Sequence, residues 1–184
     1  MRNLKIFLSN NYLPIILFFF SVFVCHFTGN RGVFPIDSFG HFDSAFRILK
    51  GDHPFKDYWV VSGPFIDYFQ SLLFLIFGIN WQTYIFSASL LNGILTLTLY
   101  FLFNHFGLNS RYSFFYAACF SILAYPSSGT PFVDHHSTFL SLLALNILIW
   151  SMIRDKAYLW FLIPILIFSA FLSKQVPSTY IFFI

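Results

Sequence analysis

Long apolar runs constrain this chain more than any other feature of its sequence. The run Thr83–Phe103 contains no charged residue, and a helix of about 20 apolar residues is long enough to cross the hydrocarbon core of a bilayer. The whole sequence is 58% hydrophobic and 9% charged, whereas a typical globular domain has roughly 25% charged residues. Because there are too few polar side chains to cover a water-exposed surface, the sequence predicts that lipid surrounds most of the protein.

The apolar runs predict an all-α polytopic membrane protein with about five transmembrane helices. A further run, Pro64–Ile79, is short and contains Asp67 and Gln70, which are costly to place in hydrocarbon. We therefore expect it to form an interfacial or re-entrant helix that does not cross. The five expected spans are Tyr12–Thr28, Thr83–Phe103, Tyr112–Tyr125, Ser137–Ile153 and Tyr158–Leu172.

The last apolar run opens at Ser178 and continues to Ile184. We expect it to be the start of a further helix, so residues 1–184 are interpreted as a single transmembrane domain that forms the N-terminal part of a longer protein. A truncated gene and a fragment are both compatible with this pattern.

Positive charges in the short connections predict the orientation. The N-terminus, Asn104–Arg111 and Arg154–Ala157 all carry Lys or Arg, and short connections of this kind remain in the cytoplasm. All three can face the cytoplasm only if one apolar run between Gly29 and Asn104 does not cross, and Pro64–Ile79 is the candidate. We therefore expect a multi-pass protein of the cell (inner) membrane with a cytoplasmic N-terminus and residues 29–79 as an outer loop. The alternative is that Pro64–Ile79 crosses and the charge rule is broken.

The acidic residues are concentrated on the expected outer side. All seven carboxylates are Asp, and with the orientation above only Asp155 faces the cytoplasm. Acids collected at one face of a membrane protein indicate chemistry at that interface.

A short amphipathic helix is predicted in the outer loop after Asp37. Its apolar residues recur with the spacing i, i+3, i+4, i+7, which gives one apolar face. Asp37 or Ser38 is expected to be the N-cap, and Gly51 is expected to end the helix. One interpretation of Asp37 is therefore that it only caps the helix and takes no part in chemistry. The apolar positions are Phe42, Ala45, Phe46 and Leu49.

The segment "DSFGHFDSAFRILKGDHPFKDYWVVSGPFIDYF" resembles the first outer loop of GT-C glycosyltransferases. It is most similar to the bacterial branch that includes protein O-mannosyltransferases and lipid A aminoarabinose transferases. Asp134 in "PFVDHHSTFLSLLAL" and Lys174 in "LSKQVP" match later positions of the same pattern. The second acid of the family's acidic pair is Ser38 here, which weakens the case for a two-acid metal site. The elements that match in the first loop are Asp37, Ala45, Gly51, Phe55-Lys56-Asp57 and Gly63-Pro64.

The resemblance implies transfer of a sugar from a polyprenyl-phosphate donor to an acceptor glycan, lipid or protein on the outer (periplasmic or extracytoplasmic) side. Asp37 would take the acceptor proton. Lys174 would neutralise the leaving phosphate, with Arg47 as a second candidate. Asp134 would orient the acceptor or hold a divalent metal, so the cofactor requirement is left open. Because members of the family are longer and complete their site with later helices, activity of the 184 residues alone is not expected.

Three further residues are candidates for contacts with substrate. Trp59 could stack on a sugar ring, although it also suits an interfacial aromatic. His135 could join Asp134 at a site. Because adjacent residues on a helix point about 100° apart, His135 and His136 are not expected to do so together. Asp57 could bind substrate or hold the loop backbone. His41 and His53 are interpreted as loop surface.

Two other classes of function are open. A multi-span transporter or flippase subunit would place charges near the bilayer midplane, whereas the spans from Thr83 to Ile153 contain none. An inactive truncated fragment is the other alternative. The net charge of +3 is spread along the chain, so no nucleic-acid partner is predicted.

The orientation can be tested by single-cysteine labelling after Cys25 and Cys119 are replaced by alanine. We expect Asn80→Cys to react with an impermeant reagent from outside and Asn109→Cys to react only from the cytoplasm, because Pro64–Ile79 does not cross. Reaction of Asn80→Cys from the cytoplasm alone would contradict the topology.

Overall fold

The computed structural model describes the backbone of residues 2–32 and 35–180, and the side chains of residues 12–32, 37–176 and 178–180. Within these ranges the protein is all-helical and contains no β-strand, which confirms the all-α part of the predicted fold class. The helices are α1 (Arg2–Gly29), α2 (Pro35–Lys50), α3 (Phe65–Phe77), α4 (Trp81–His105), α5 (Ser110–Leu123), α6 (Val133–Arg154), α7 (Ala157–Ser173) and α8 (Gln175–Thr179), with a short 3-10 helix at Tyr125–Ser127.

Among the described residues, three helices are long and apolar enough to cross a membrane: α1 over Tyr12–Gly29, α4 and α6. The expected count of about five is not confirmed. α5 has 14 residues and α7 has 17, which correspond to about 21 Å and about 25 Å of helix at the usual rise per residue. The bilayer core is about 30 Å thick. α5 has the same length as the apolar run Tyr112–Tyr125 but begins two residues earlier, because Asn109 caps its start and the chain enters the 3-10 helix at Tyr125.

The loops that carry most of the acidic residues meet at one end of the helix bundle, here named the loop end. The Trp81 indole Nε1–H donates to the Gly29 carbonyl over 3.1 Å, so the chain leaves α1 and enters α4 at the same end. A Cβ on Gly29 would lie 2.4 Å from the Gly129 carbonyl oxygen, which places the loop after α5 beside them. If α3 does not cross the membrane, α4 must begin at the end of the bundle where α1 finishes, as it does here. The position of α3 relative to the membrane stays a prediction.

The end of α7 lies at the loop end as well. The Ser137 hydroxyl of α6 lies 3.0 Å from the Ala170 carbonyl and 2.8 Å from the Lys174 carbonyl. These contacts hold Lys174 beside the first turn of α6. The short connections between α4 and α5 and between α6 and α7 therefore lie at the opposite end.

Hydrogen bonds between side chains join α1, α4 and α5 inside the bundle. The Asn92 amide of α4 donates to the Ser21 hydroxyl at 2.9 Å and to the Ser121 carbonyl at 3.0 Å. Interhelical polar contacts of this kind, together with small residues such as Gly93 against Phe18, are typical of helix packing in membranes.

α2 differs from the expectation at its start. The helix begins at Pro35, so Asp37 lies inside the first turn and is not the N-cap. Proline is favoured at the first helical position because its missing N–H would be unsatisfied there. The expected end is confirmed, since Gly51 has a φ of +98°, a conformation that glycine adopts without steric cost.

The apolar face of α2 packs on α3 and α4, but it is narrower than predicted. Ala45 is fully buried and the Phe42 ring meets Phe74 and Tyr84 edge to face. Phe46 stays exposed. The face turned away from this packing carries polar side chains, and it forms part of the site described below.

Gly63 fixes the loop between α2 and α3 on the end of α7. Its N–H donates to the Ser173 carbonyl over 3.1 Å, and a Cβ at this position would lie 1.8 Å from the Leu172 carbonyl oxygen. Only glycine allows the two backbones to approach this closely.

We expect Gly63→Ala to lower the free energy of unfolding by about 1–3 kcal/mol, because the new methyl group overlaps backbone atoms that cannot move aside. The loss is measurable by denaturant unfolding in detergent, and limited proteolysis should show earlier cleavage within residues 51–63. Gly40→Ala is the matched control, since its Cβ would meet nothing within 4 Å. Equal stability of the two variants would contradict the packing of Gly63 on α7.

Candidate functional site

A cleft of about 600 Å³ opens at the loop end between α2, the α2–α3 loop, α3, the start of α6 and the residue that follows α7. We name it the polar cleft. Its charged side chains come from four separate segments, and Trp59 and Tyr58 form part of its wall. The charged lining residues are Asp37, Asp43, Arg47, Asp67, Asp134 and Lys174.

One face of α2 forms a continuous side of the polar cleft. Asp37, His41, Ser44 and Arg47 follow each other at spacings of three or four residues and all line it. Residues three and four apart are neighbours on a helix surface, so the polar stripe is a direct consequence of the sequence spacing. The adjacent apolar face of α2, where Ala45 is fully buried, sets the direction in which this stripe points.

Asp37 is exposed, and among the described residues its carboxylate has no hydrogen bond or ion pair. It lies in the first turn of the 16-residue helix α2. The unsatisfied N–H groups at a helix start favour a negative charge. Because no described residue pairs with it, the carboxylate can accept a proton or a hydrogen bond from a bound molecule.

Asp134 and Lys174 form an ion pair in the polar cleft although they are 40 positions apart. The Lys174 amine lies 2.7 Å from Asp134 Oδ1 and 2.9 Å from Oδ2. Asp134 belongs to the first turn of α6 and Lys174 follows the last residue of α7. Because the side chains are 42% and 37% exposed, water and solutes can reach both partners.

Arg47 provides the second cation of the cleft wall. Its Nε–H donates to Asp43 Oδ2 over 2.8 Å, and this hydrogen bond raises the pKa of Arg47. The guanidinium lies over the Tyr58 ring, 5.3 Å from its centroid. It remains exposed on its other side, where an anion in the cleft can reach it.

A buried carboxylate lies at the back of the polar cleft. Asp67 of α3 is fully buried. Its Oδ1 accepts from His41 Nδ1 over 2.7 Å and its Oδ2 accepts from the Ser44 hydroxyl over 2.7 Å. The Tyr58 hydroxyl is 2.7 Å from the Ser44 hydroxyl. Burial raises the pKa of Tyr58, so the phenol keeps its proton and donates to Ser44.

The structure brings Asp37, Asp134, Lys174, Arg47 and Trp59 to the same cleft. The indole of Trp59 is 80% exposed, so its ring face is open to a bound molecule. The roles that the family resemblance implies for these five residues stay predictions.

Two sequence-predicted substrate contacts do not line the polar cleft. Asp57 Oδ2 accepts the His53 backbone N–H over 2.8 Å, so the carboxylate holds its own loop. The His135 Nδ1 atom is 2.8 Å from the Ser128 hydroxyl, and its ring leans on Tyr125.

His41 corrects the expectation that it lies on a loop surface. It belongs to α2, lines the cleft and contacts Asp67. The polar spacing of Asp37, His41 and Ser44 on one helix could have indicated this, but the pairing with Asp67 could not be found from spacing, because it depends on how α3 packs against α2.

The loop before α6 is held by Tyr125, which is fully buried. Its hydroxyl forms a short hydrogen bond with His136 Nδ1 and accepts the Phe132 backbone N–H over 3.1 Å. Burial raises the pKa of Tyr125 well above its usual value. These contacts fix the segment that delivers Asp134 to the cleft.

The residues of the cleft do not form a complete metal-ligand set. Within residues 2–32 and 35–180, no group of three or more His, Cys, Asp and Glu side chains is placed to hold a metal ion, and Asp134 is paired with Lys174. No step proposed below depends on a metal.

The fold and site together define a helical protein with three helices long and apolar enough to cross a membrane and a charged cleft at one end of the bundle. No protein-family model, no curated protein and no solved structure matches the chain.

The buried network can be tested by its contribution to stability. We expect Asp67→Ala to lower the free energy of unfolding by about 2–4 kcal/mol, because His41 and Ser44 lose a buried partner. The matched control is Asp43→Ala, which removes a carboxylate from an exposed pair and should have no measurable effect. Denaturant unfolding in detergent measures both changes. Similar small losses for the two variants would show that Asp67 does not form the network.

Proposed function

We propose that the protein takes part in glycosyl transfer of the GT-C type, moving a sugar from a polyprenyl-phosphate donor to an acceptor at the polar cleft. The observation that carries this proposal is the meeting of the unpaired Asp37 carboxylate with Lys174 and Arg47 at one cleft. This reaction requires, at one site, a carboxylate that can take a proton and cations that can bind a phosphate. Asp37 and Arg47 share one face of α2, but sequence spacing alone gives no reason for Lys174 to be close to them.

The cations support binding of the donor phosphate. Lys174 and Arg47 each have one carboxylate partner, Asp134 and Asp43, and both pairs are accessible to water. Ion pairs at accessible positions contribute little to stability. A phosphate can therefore replace the carboxylate partner of either cation, with hydrogen bonds that are strengthened by charge on both sides.

Asp37 is the proposed base. As the acceptor oxygen forms a bond to the anomeric carbon, its proton moves to the carboxylate of Asp37. The bond from the anomeric carbon to the phosphate oxygen breaks, and its electron pair leaves with the polyprenyl phosphate. Lys174 and Arg47 neutralise the negative charge that develops on that phosphate.

An apolar groove on α7 supports a donor with a long isoprenoid tail. The groove has a volume of about 720 Å³ and is lined by residues such as Ile163, Phe168 and Phe171. α7 ends at Ser173, directly before Lys174. A tail lying along α7 would therefore bring its phosphate towards the cationic side of the cleft.

The positive charges of the opposite end support an outer position for the loop end. Arg111 lies after the α4–α5 connection, and Arg154 and Lys156 belong to the α6–α7 connection. Short basic connections remain cytoplasmic, so the polar cleft would face outward from the cell (inner) membrane. Its charges also lie at the end of the bundle and not at its middle, which favours a transferase over a transporter or flippase subunit.

The proposed function can be tested with the full-length protein in nanodiscs. We expect polyprenyl monophosphate to bind, and Lys174→Met to raise its Kd at least about tenfold, because a charge-assisted contact to the phosphate is lost. Asp37→Asn should leave the Kd within about twofold and reduce transfer from radiolabelled polyprenyl-phosphate hexoses and pentoses at least about 100-fold.

Lys56→Met is the matched control, because Lys56 is 74% exposed and does not line the cleft. It should change neither binding nor transfer. Undiminished transfer by Asp37→Asn would remove Asp37 as the base. Equal affinity of the Lys174→Met and wild-type proteins for polyprenyl monophosphate would remove the phosphate site.

A further inference from the structure

The contact between His41 and Asp67 fixes the protonation pattern of the imidazole. An ionised carboxylate can only accept hydrogen bonds, so the 2.7 Å contact with Asp67 Oδ1 places the proton of His41 on Nδ1. In the neutral ring Nε2 then carries the free lone pair. Among the described residues, no hydrogen bond reaches Nε2. His41 lines the polar cleft, so this lone pair is available to a molecule bound there.

Asp67 places a buried carboxylate at hydrogen-bond distance from His41. Asp67 is fully buried, and among the described residues its two oxygens accept hydrogen bonds only from His41 and the Ser44 hydroxyl. Of these two partners, only the imidazole can become a cation. When His41 takes a second proton, the buried carboxylate becomes its counter-ion at hydrogen-bond distance, as in the acid–histidine pairs of hydrolytic enzymes.

His41 also has the right position relative to Asp37. It follows Asp37 by four residues on the same face of α2, and residues at this spacing are neighbours, with Cβ atoms about 5–6 Å apart. A hydroxyl group that reaches Asp37 is therefore also within the range of the imidazole.

We propose that His41 is a second proton-accepting catalytic residue of the polar cleft and that Asp67 is its positioning residue. This inference rests on the proposed transferase function and names the acceptor group as a hydroxyl. As the acceptor oxygen forms the bond to the anomeric carbon, its proton moves to the Asp37 carboxylate and from there to His41 Nε2, while the bond to the phosphate oxygen breaks with its electron pair on the leaving phosphate. Asp37 and His41 act in sequence on the same proton, so loss of either one slows transfer.

The inference is tested by variants that keep the contact with Asp67. In His41→Asn the shorter amide can still donate to Asp67 but has no basic nitrogen. We expect it to lower kcat at least about tenfold in the transfer assay with the full-length protein, and to leave the donor KM and the Kd for polyprenyl monophosphate within about twofold. His53→Asn is the matched control, since His53 contacts Tyr68 outside the cleft, and it should transfer at the wild-type rate.

Chemical rescue separates a proton acceptor from a structural histidine. Added imidazole should restore transfer by His41→Ala and should not restore transfer by Asp37→Asn. Asp67→Asn should lower kcat to a similar extent as His41→Asn, because a neutral amide cannot stabilise the imidazolium. A rate for His41→Asn within twofold of wild type, or no rescue of His41→Ala, would overturn the inference and leave the proposed function intact.

The protonation pattern gives a readout that does not depend on activity. Nitrogen-15 NMR of labelled histidine should show the neutral His41 ring with its proton on Nδ1, and Asp67→Asn should change this pattern. A proton on Nε2 in the wild-type protein would overturn the inference. Wild-type protein that neither binds polyprenyl monophosphate nor transfers any donor sugar would instead overturn the proposed function, and the role of His41 with it.

Discussion

The buried carboxylate of Asp67 is the contact on which the arrangement at the loop end depends. It joins α3 to α2 through His41 and Ser44, and Ser44 in turn contacts Tyr58 of the intervening loop. A buried charge is costly unless it is paired and hydrogen-bonded. The three segments therefore have to meet with the correct register, and the polar stripe of α2 is turned towards the cleft as a result.

Two further contacts bring the other half of the cleft to this assembly. The absence of a side chain at Gly63 lets the α2–α3 loop touch the backbone end of α7, and Ser137 holds the same end of α7 against α6. Asp134 and Lys174 are thereby delivered from two helices to one ion pair. The bundle itself is held by packing and by polar contacts such as those of Asn92, which do not involve the cleft.

The sequence predicted the helical class, and three of its five expected spans correspond to helices that are long and apolar enough to cross a membrane, because apolar length is a local property. It also predicted the end of α2 at Gly51. The expected spans that correspond to α5 and α7 are not confirmed, because helices of 14 and 17 residues are short for a bilayer core about 30 Å thick. Asp37, Asp134 and Lys174 were proposed as one site from a pattern of order and spacing. The partners of His41 and Asp67 depend on the packing of α3 on α2, which no local pattern contains.

The ion pair of Asp134 and Lys174 has a consequence for turnover under the proposed function. The Lys174 amine that receives a leaving phosphate is already paired with the Asp134 carboxylate, which competes with the phosphate for it. Every bound phosphate therefore displaces Asp134 and can in turn be displaced by it. A tethered carboxylate acts at a high effective concentration that does not fall as product diffuses away. Binding at this cleft is then an exchange of one anion for another, and the protein carries within its own structure the group that clears the site for the next donor.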